Sequence, residues 1–255
     1  MRHDTESVLT VCRALSAVPT RAEIGNVALY YEALCEQQAG RTERSREILF
    51  RVIDCLPPDY KPRAYLAIAG SYHHDGDLEE SAHGYLETAR AAVGIDPLTR
   101  FQSLRGLAIV RALAGDHDGA LAELRRLLPV ARYLAASYPA DYCSHLNSLA
   151  LELGATGRVN EARHVISTVA KSPLAIRFPN WVDSYREIHA MRSAGPKLLY
   201  AIGSVFEPSP QKEIRESAEQ CLELDIPTAE AQASTQAKPH QSLGSSTVPE
   251  RRSQR

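Results

Sequence analysis

Two short polar segments carry the residue types from which a metal site could be built: His73-His74-Asp75-Gly76-Asp77 and Asp116-His117-Asp118-Gly119. Imidazole nitrogens and carboxylates are good ligands, but a site needs several of them converging on one point. Neighbouring residues on a helix point in different directions. None of the nine histidines stands in a His-x3-His pair that would offer two ligands from one face. Turn and helix-capping roles account for these residues. Cys143-Ser144-His145 places a nucleophile near a base in sequence, yet adjacent helical residues cannot form a nucleophile–base pair. No Gly-x-Ser-x-Gly elbow and no Gly-x4-Gly-Lys-Ser/Thr phosphate loop occurs. Carboxylates abound in helical Glu–Arg spacing, as in Glu43/Arg46 and Glu123/Arg126, which suits solvated pairs. No catalytic residue, metal ligand or cofactor is assigned, and the chain reads as a non-enzyme.

The elements behind these residues are helices. From Asp4 to about Lys171 apolar residues recur at three and four, punctuated by Gly or Pro. The pattern predicts helices over 4–16, 21–39, 42–55, 62–75, 78–94, 98–114, 117–136, 141–156, 159–171, 180–193 and 196–204. No stretch alternates with period two for long enough to be a strand. The fold class expected is all-α.

Internal repetition gives the organisation. Gly40, Gly76, Gly115 and Gly157 are each followed by a charged residue, Arg41, Asp77, Asp116 and Arg158. Five residues after each glycine stands a small residue: Ser45, Ser81, Ala120 and Ala162. Seven before stands alanine, at positions 33, 69, 108 and 150. Eleven before come Leu29, Tyr65, Leu104 and Leu146, and nine after come Leu49, Tyr85, Leu124 and Ile166. Five columns agreeing in four copies describe an antiparallel helix pair. Small residues let the two backbones approach, large ones fill the flanks, and glycine ends the first helix in the left-handed conformation. One pair cannot bury its own apolar face and must stack on neighbours.

The spacing large-x3-small-x6-Gly-[Asp/Arg]-x3-small-x3-large resembles the tetratricopeptide repeat over residues 26–171. "AYLAIAGSYHHDGDLEESAHGYLETA" is the closest copy, with a second aromatic at Tyr72, and "SLRGLAIVRALAGDHDGALAELRRLL" matches nearly as well. Pro57 falls near the end of the first repeat. Two departures stand out: the glycines are spaced 36, 39 and 42 residues apart, longer than the family's usual step, and Glu32 replaces a large apolar residue. The resemblance implies a right-handed α-solenoid of about four helix pairs with a C-terminal capping helix. It also implies a concave groove lined by the first helices. One residue past each large anchor lie Tyr30, Leu66, Arg105 and Asn147, and one turn earlier lie Arg63 and Gln102. These six are the expected partner-binding residues, Tyr30 as a stacking surface and the arginines as charged contacts. An alternative for the arginines is pairing with glutamates of adjacent helices.

Some family members hold the C-terminal carboxylate of heat-shock chaperones through a Lys/Asn/Asn/Lys/Arg clamp. The matching positions here are Tyr30, Leu34, Ala67, Gln102 and Gly106, and none fits. "LNSLALELGATGRVNEARHVI" also resembles a pentatricopeptide repeat, an RNA-binding array. Such arrays are basic along the groove, whereas 29 Lys and Arg here face 31 Asp and Glu. Nucleic acid is therefore disfavoured, and a protein or peptide partner is expected. A groove ligand of an enzyme or sensor is the remaining alternative. The sequence leaves the oligomeric state open.

Residues 1–25 are assigned to an N-terminal helix and 172–205 to capping helices. In the latter, Trp181 follows Pro179-Asn180, with Asn180 a possible N-cap, and shares a face with Tyr185 and Ile188. Residues 211–223 have a weak amphipathic pattern, and the composition of 206–255 predicts a disordered tail. Five scattered cysteines without a Cys-x-x-Cys pair predict reduced thiols. No signal peptide or membrane-spanning run is visible, which predicts a soluble, cytoplasmic protein without membrane attachment.

Overall fold

A computed structural model describes residues 2–16 and 22–191. The expected helices over 196–204 and 211–223, and the tail over 206–255, lie outside the described residues. Eleven α-helices and no strand are found among the described residues. They are α1 (Arg2–Ser16), α2 (Ala22–Gln38), α3 (Thr42–Val52), α4 (Lys61–Asp75), α5 (Leu78–Ala91) and α6 (Pro97–Leu113). They continue as α7 (His117–Arg126), α8 (Leu128–Leu134), α9 (Pro139–Ala155), α10 (Val159–Ala170) and α11 (Pro179–Ala190). The pairs are α2/α3, α4/α5, α6/α7 and α9/α10, and α2, α4 and α6 each lie also on the next first helix.

The four turn glycines adopt φ of 78°, 86°, 89° and 77°, a region open to glycine at little cost. All eight small residues of the two seam columns are at most 1% exposed. Between α4 and α5 the approach is close enough that Ser81 Oγ donates to the Ala69 carbonyl at 3.1 Å. A β-carbon on Gly84 would stand only 2.9 Å from that of Ala69. The first helices α4, α6 and α9 carry proline at their first or second position, where its missing N–H coincides with the unpaired first turn.

The three steps longer than the family's usual repeat have separate causes. A 3₁₀ turn, Ile53–Cys55, and a Pro57-Pro58 loop lengthen the first, and a loop around left-handed Gly94 lengthens the second. In the third, the helix expected over 117–136 divides into α7 and α8, because Pro129 has no N–H for the Arg125 carbonyl. Two expected details change. Phe178, not Asn180, is the N-cap of α11, since Pro179 takes the first helical position. Arg46 pairs with Asp75 at 2.5 Å instead of with Glu43, and its guanidinium lies 4.5 Å over the Tyr72 ring.

Trp181 is fully buried, stacked on Phe178 at 4.2 Å, and joins the core of α9 and α10 together with Ile188. At the other end α1 packs on α2. Glu32, the departure from the repeat pattern, is buried there and accepts from Arg13 of α1 at 3.3 Å.

Candidate functional site

The first helices carry all six residues expected to meet a partner, and the structure gives them different surroundings. Tyr30 is buried, its ring meeting Tyr31 edge-on at 5.1 Å and Tyr60 at 5.5 Å. Burial pushes its phenol up to about 12. Tyr30 thus offers no stacking surface. The exposed ring of the pair is that of Tyr31, 41% exposed, 6.4 Å from Tyr60 and nearly perpendicular to it. Tyr60 is the N-cap residue of α4, so the chain turn before α4 is what covers Tyr30.

Arg63, one turn into α4, lies beside this cluster with its guanidinium 5.8 Å over the Tyr60 ring. Its Nε donates to Asp96 Oδ2 at 2.8 Å. Asp96 is the N-cap of α6 and also accepts from the Thr99 N–H at 3.0 Å. Burial alone would raise the Asp96 carboxyl, but the Thr99 N–H and Arg63 hold it below the usual carboxylate range. Arg63 is therefore fixed through one edge of its fork, and its side chain remains about half exposed.

Gln102 and Arg105 meet at a second point, both on Asp141 of α9. Gln102 donates to Asp141 Oδ1 at 2.8 Å, and Arg105 Nη1 donates to the Asp141 carbonyl at 3.1 Å and stands 3.8 Å from its carboxylate. Arg105 is largely buried, which lowers its pKa, and its guanidinium lies 5.8 Å over Phe101. Leu66 is half-buried against Ala69, Tyr85 and Val110, and Asn147 is buried with no partner for its Oδ1. Of the six, then, Tyr30 and Arg63 share one cluster and Gln102 and Arg105 another. Both arginines pair with aspartates of the following first helix.

Tyr31, Tyr60, Asp96 and Asp141 complete these clusters and were not singled out by the repeat pattern. A signal for Asp96 was present in Asp96-Pro97, an N-cap followed by proline at the first helical position. Tyr60 and Asp141 stand in one column, sixteen residues before their turn glycines, and each reaches back to the preceding first helix.

The polar turn segments have structural partners. Asp75 accepts from Thr42 at 2.8 Å and from Arg46, Asp116 caps α7 through the Gly119 N–H at 3.0 Å, and His117 Nδ1 meets Glu152 at 2.8 Å. Among the described residues no group of three or more His, Cys, Asp or Glu side chains is placed to hold a metal ion. None of the helices described is long and apolar enough to cross a membrane. A cleft of about 530 Å³ runs between α1 and the turn after α2, but its Arg13 and Arg41 are both engaged by Glu36.

No protein-family model and no curated protein matches the chain. Solved structures do. BtubC (BKLC) from P. vanneervenii superposes with a TM-score of 0.54 at 15% identity, covering 98% of this chain and 97% of its own. A kinesin light chain of Podosopora anserina, built of nearly identical TPR-like repeats, gives 0.48 at 18% identity over 69% of this chain and 88% of its own. At these identities the likeness concerns the fold: an all-helical solenoid of tetratricopeptide-like repeats.

Proposed function

We propose that this tetratricopeptide-like solenoid is a protein-interaction scaffold that holds an extended peptide or a partner helix on its first-helix face. The observation that carries the reading is the group formed by Tyr31, Tyr60 and Arg63 at the junction of the first two repeats. Two aromatic rings, one of them well exposed, stand 6.4 Å apart, and a guanidinium whose Nε is held by Asp96 lies 5.8 Å over the Tyr60 ring. The terminal amino groups of that fork are then oriented for a carboxylate without further loss of side-chain freedom. Aromatic rings supply contact area at low entropic cost and arginine supplies directionality, a combination enriched where binding energy concentrates. A partner segment with a carboxylate beside an apolar or aromatic side chain fits this group. Arg105 is a poorer contact, being buried and already shared with Asp141.

The test is affinity capture from native cell extract on the immobilised full chain, with Tyr31→Ala/Arg63→Ala in parallel. A partner held by the wild type should bind the double variant at least about tenfold more weakly, equivalent to two contacts of modest strength. Melting temperatures should agree within a few degrees, since both side chains are half exposed. Equal retention by a folded double variant would remove the first-helix face from consideration.

A further inference from the structure

The two edges of the repeat array differ in chemistry. Arg63 near the start of α4 meets Asp96 at the start of α6, and Gln102 of α6 meets Asp141 near the start of α9. These first helices run side by side in one direction, so they begin at one edge and end at the other. The edge where they end holds the glycine turns, at which Asp75, Asp77, Glu79, Glu80, Asp116 and Asp118 are exposed. The edge where they begin holds the connections from each second helix to the next first helix.

Exposed large apolar side chains gather at the beginning edge. From Thr42 to Ala190 they are Phe50, Val93, Ile95, Tyr133, Tyr138 and Ile176, with Leu113 at the glycine-turn edge the exception. Phe50 lies in the last turn of α3, Val93 and Ile95 flank left-handed Gly94, and Tyr133 and Tyr138 bracket the turn from α8 to α9. Ile176, after α10, is 92% exposed. It sits in a 3₁₀ turn, Pro173–Arg177, anchored by buried Ala175 and by the Leu174 N–H, which donates to Ser172 Oγ.

The cations show the same bias. Arg44, Arg90, Arg111 and Arg186 are held by carboxylates although they are exposed. Arg51, Lys61, Lys171 and Arg177 make no ion pair or side-chain hydrogen bond among the described residues, and all four lie on the beginning edge. Of the aspartates there, Asp54 and Asp59 are exposed, whereas Asp96 and Asp141 are engaged by Arg63 and Arg105. An even total of 29 basic and 31 acidic residues conceals this separation.

We infer that the beginning edge docks on an anionic lipid surface. Exposed apolar tips interspersed with unpaired cations are what a peripheral contact requires: the tips enter the headgroup layer and the cations meet lipid phosphates and carboxylates. Tyrosine suits that boundary because its ring is apolar and its hydroxyl stays wet. These residues are spread over four successive connections. An extended plane meets them together, where a peptide would cover one or two. The acidic opposite edge orients the molecule the same way. Such a contact needs no spanning helix.

The test is co-sedimentation of the full chain with sucrose-loaded vesicles of equimolar phosphatidylcholine and phosphatidylserine, beside vesicles of phosphatidylcholine alone. Binding is expected to the mixed vesicles, with little to the neutral ones, and it should weaken with added salt. Arg51→Glu/Arg177→Glu should lower partitioning at least about tenfold. Ile95→Ser/Ile176→Ser, which leaves the charge unchanged, should lower it comparably. Arg44→Glu/Arg111→Glu makes the same net-charge change at the glycine-turn edge. The 15 residues of α4 hold the two edges about 20 Å apart. That exceeds the screening length of about 8 Å at physiological salt, so this variant should bind as the wild type does. Melting curves establish that each variant is folded, and the serine pair stands in if the glutamate pair is not. Absence of binding to the mixed vesicles, or equal loss in Arg44→Glu/Arg111→Glu, would overturn the inference. So would an acidic protein retained by the wild type and lost with Arg51→Glu/Arg177→Glu when neither vesicle is bound, for the edge would then serve a protein.

Discussion

Glu32 and Glu36 occupy buried positions on α2, and the physical question is what keeps two carboxylates there. Arg13 answers it, donating to Glu32 at 3.3 Å and to Glu36 at 3.2 Å, with Arg41 also on Glu36. The departure at Glu32 thus ties α1 to the first repeat. Arg13→Ala should destabilise by about 1–2 kcal/mol, below the cost of breaking a fully buried pair because Arg13 is itself exposed. Adding Glu32→Leu should recover part of that loss in a denaturant melt. No recovery would mean that α1 is held by its apolar contacts alone. His145 gives the second test at this scale. It is buried against Phe101, and burial together with the charge of Arg105 pushes its pKa down to about 3. Below its ordinary value of about 6.5 the unfolded chain takes up a proton that the folded chain does not. Stability is therefore lost as pH falls through that range, at about 1.4 kcal/mol per pH unit. Between pH 7 and pH 5 the wild type should lose about 2 kcal/mol that His145→Leu keeps. Equal slopes would show that the folded chain accommodates a charged imidazole.

Helix pairs depend on the two columns of small residues. Ala108 and Ala150 sit at crossings with no room for a larger side chain, and either →Leu substitution should cost about 1–3 kcal/mol by overpacking. Glu43→Gln on the surface of α3 should change stability by no more than about 0.5 kcal/mol. Glycine makes the same point with opposite signs at two places. A β-carbon on Gly106 would lie 2.5 Å from Tyr85 Cζ, so Gly106→Ala must displace the ring that joins α5 to α6. Gly25, within α2, has nothing closer than 3.8 Å, and Gly25→Ala should stabilise by about 0.5–1 kcal/mol through helix propensity alone. Thermal melts that ranked Gly106→Ala with Gly25→Ala would place Tyr85 elsewhere.

At the scale of the molecule, the two ends of the stack of described helices are unequal. At the C-terminal end α11 buries Trp181 and Ile188 on the last pair and turns Asp183, Arg186 and Glu187 outward. At the N-terminal end α1 turns Val8, Val11 and Leu15 outward. A stack of repeats needs a polar outer layer at each end to stay soluble. Ending the chain before Ser172 should therefore expose the apolar side of α9 and α10 and cause aggregation, followed by light scattering. In the intact chain Trp181 should emit as a buried indole and resist a collisional quencher. Emission typical of exposed indole would mean that α11 does not cap the stack.

Sequence alone determined most of the helices among the described residues, their breaks at the four glycines and the pairing within each repeat, but not the division of the helix expected over 117–136 at Pro129. These follow from interactions a few residues apart: the 3.6-residue apolar period, the left-handed turn that glycine accepts, and small residues where two backbones must meet. The binding residues were legible only as a column. Spacing placed Tyr30, Arg63, Gln102 and Arg105 on the first helices. It did not show that the turn at Tyr60 covers Tyr30, or that Tyr31 is the exposed ring. Nor did it show that Arg63 and Arg105 meet Asp96 and Asp141, partners 33 and 36 residues away. Those outcomes depend on how successive pairs are rotated and displaced. Connections of unequal length set that stacking, so exposure along a column differs from repeat to repeat.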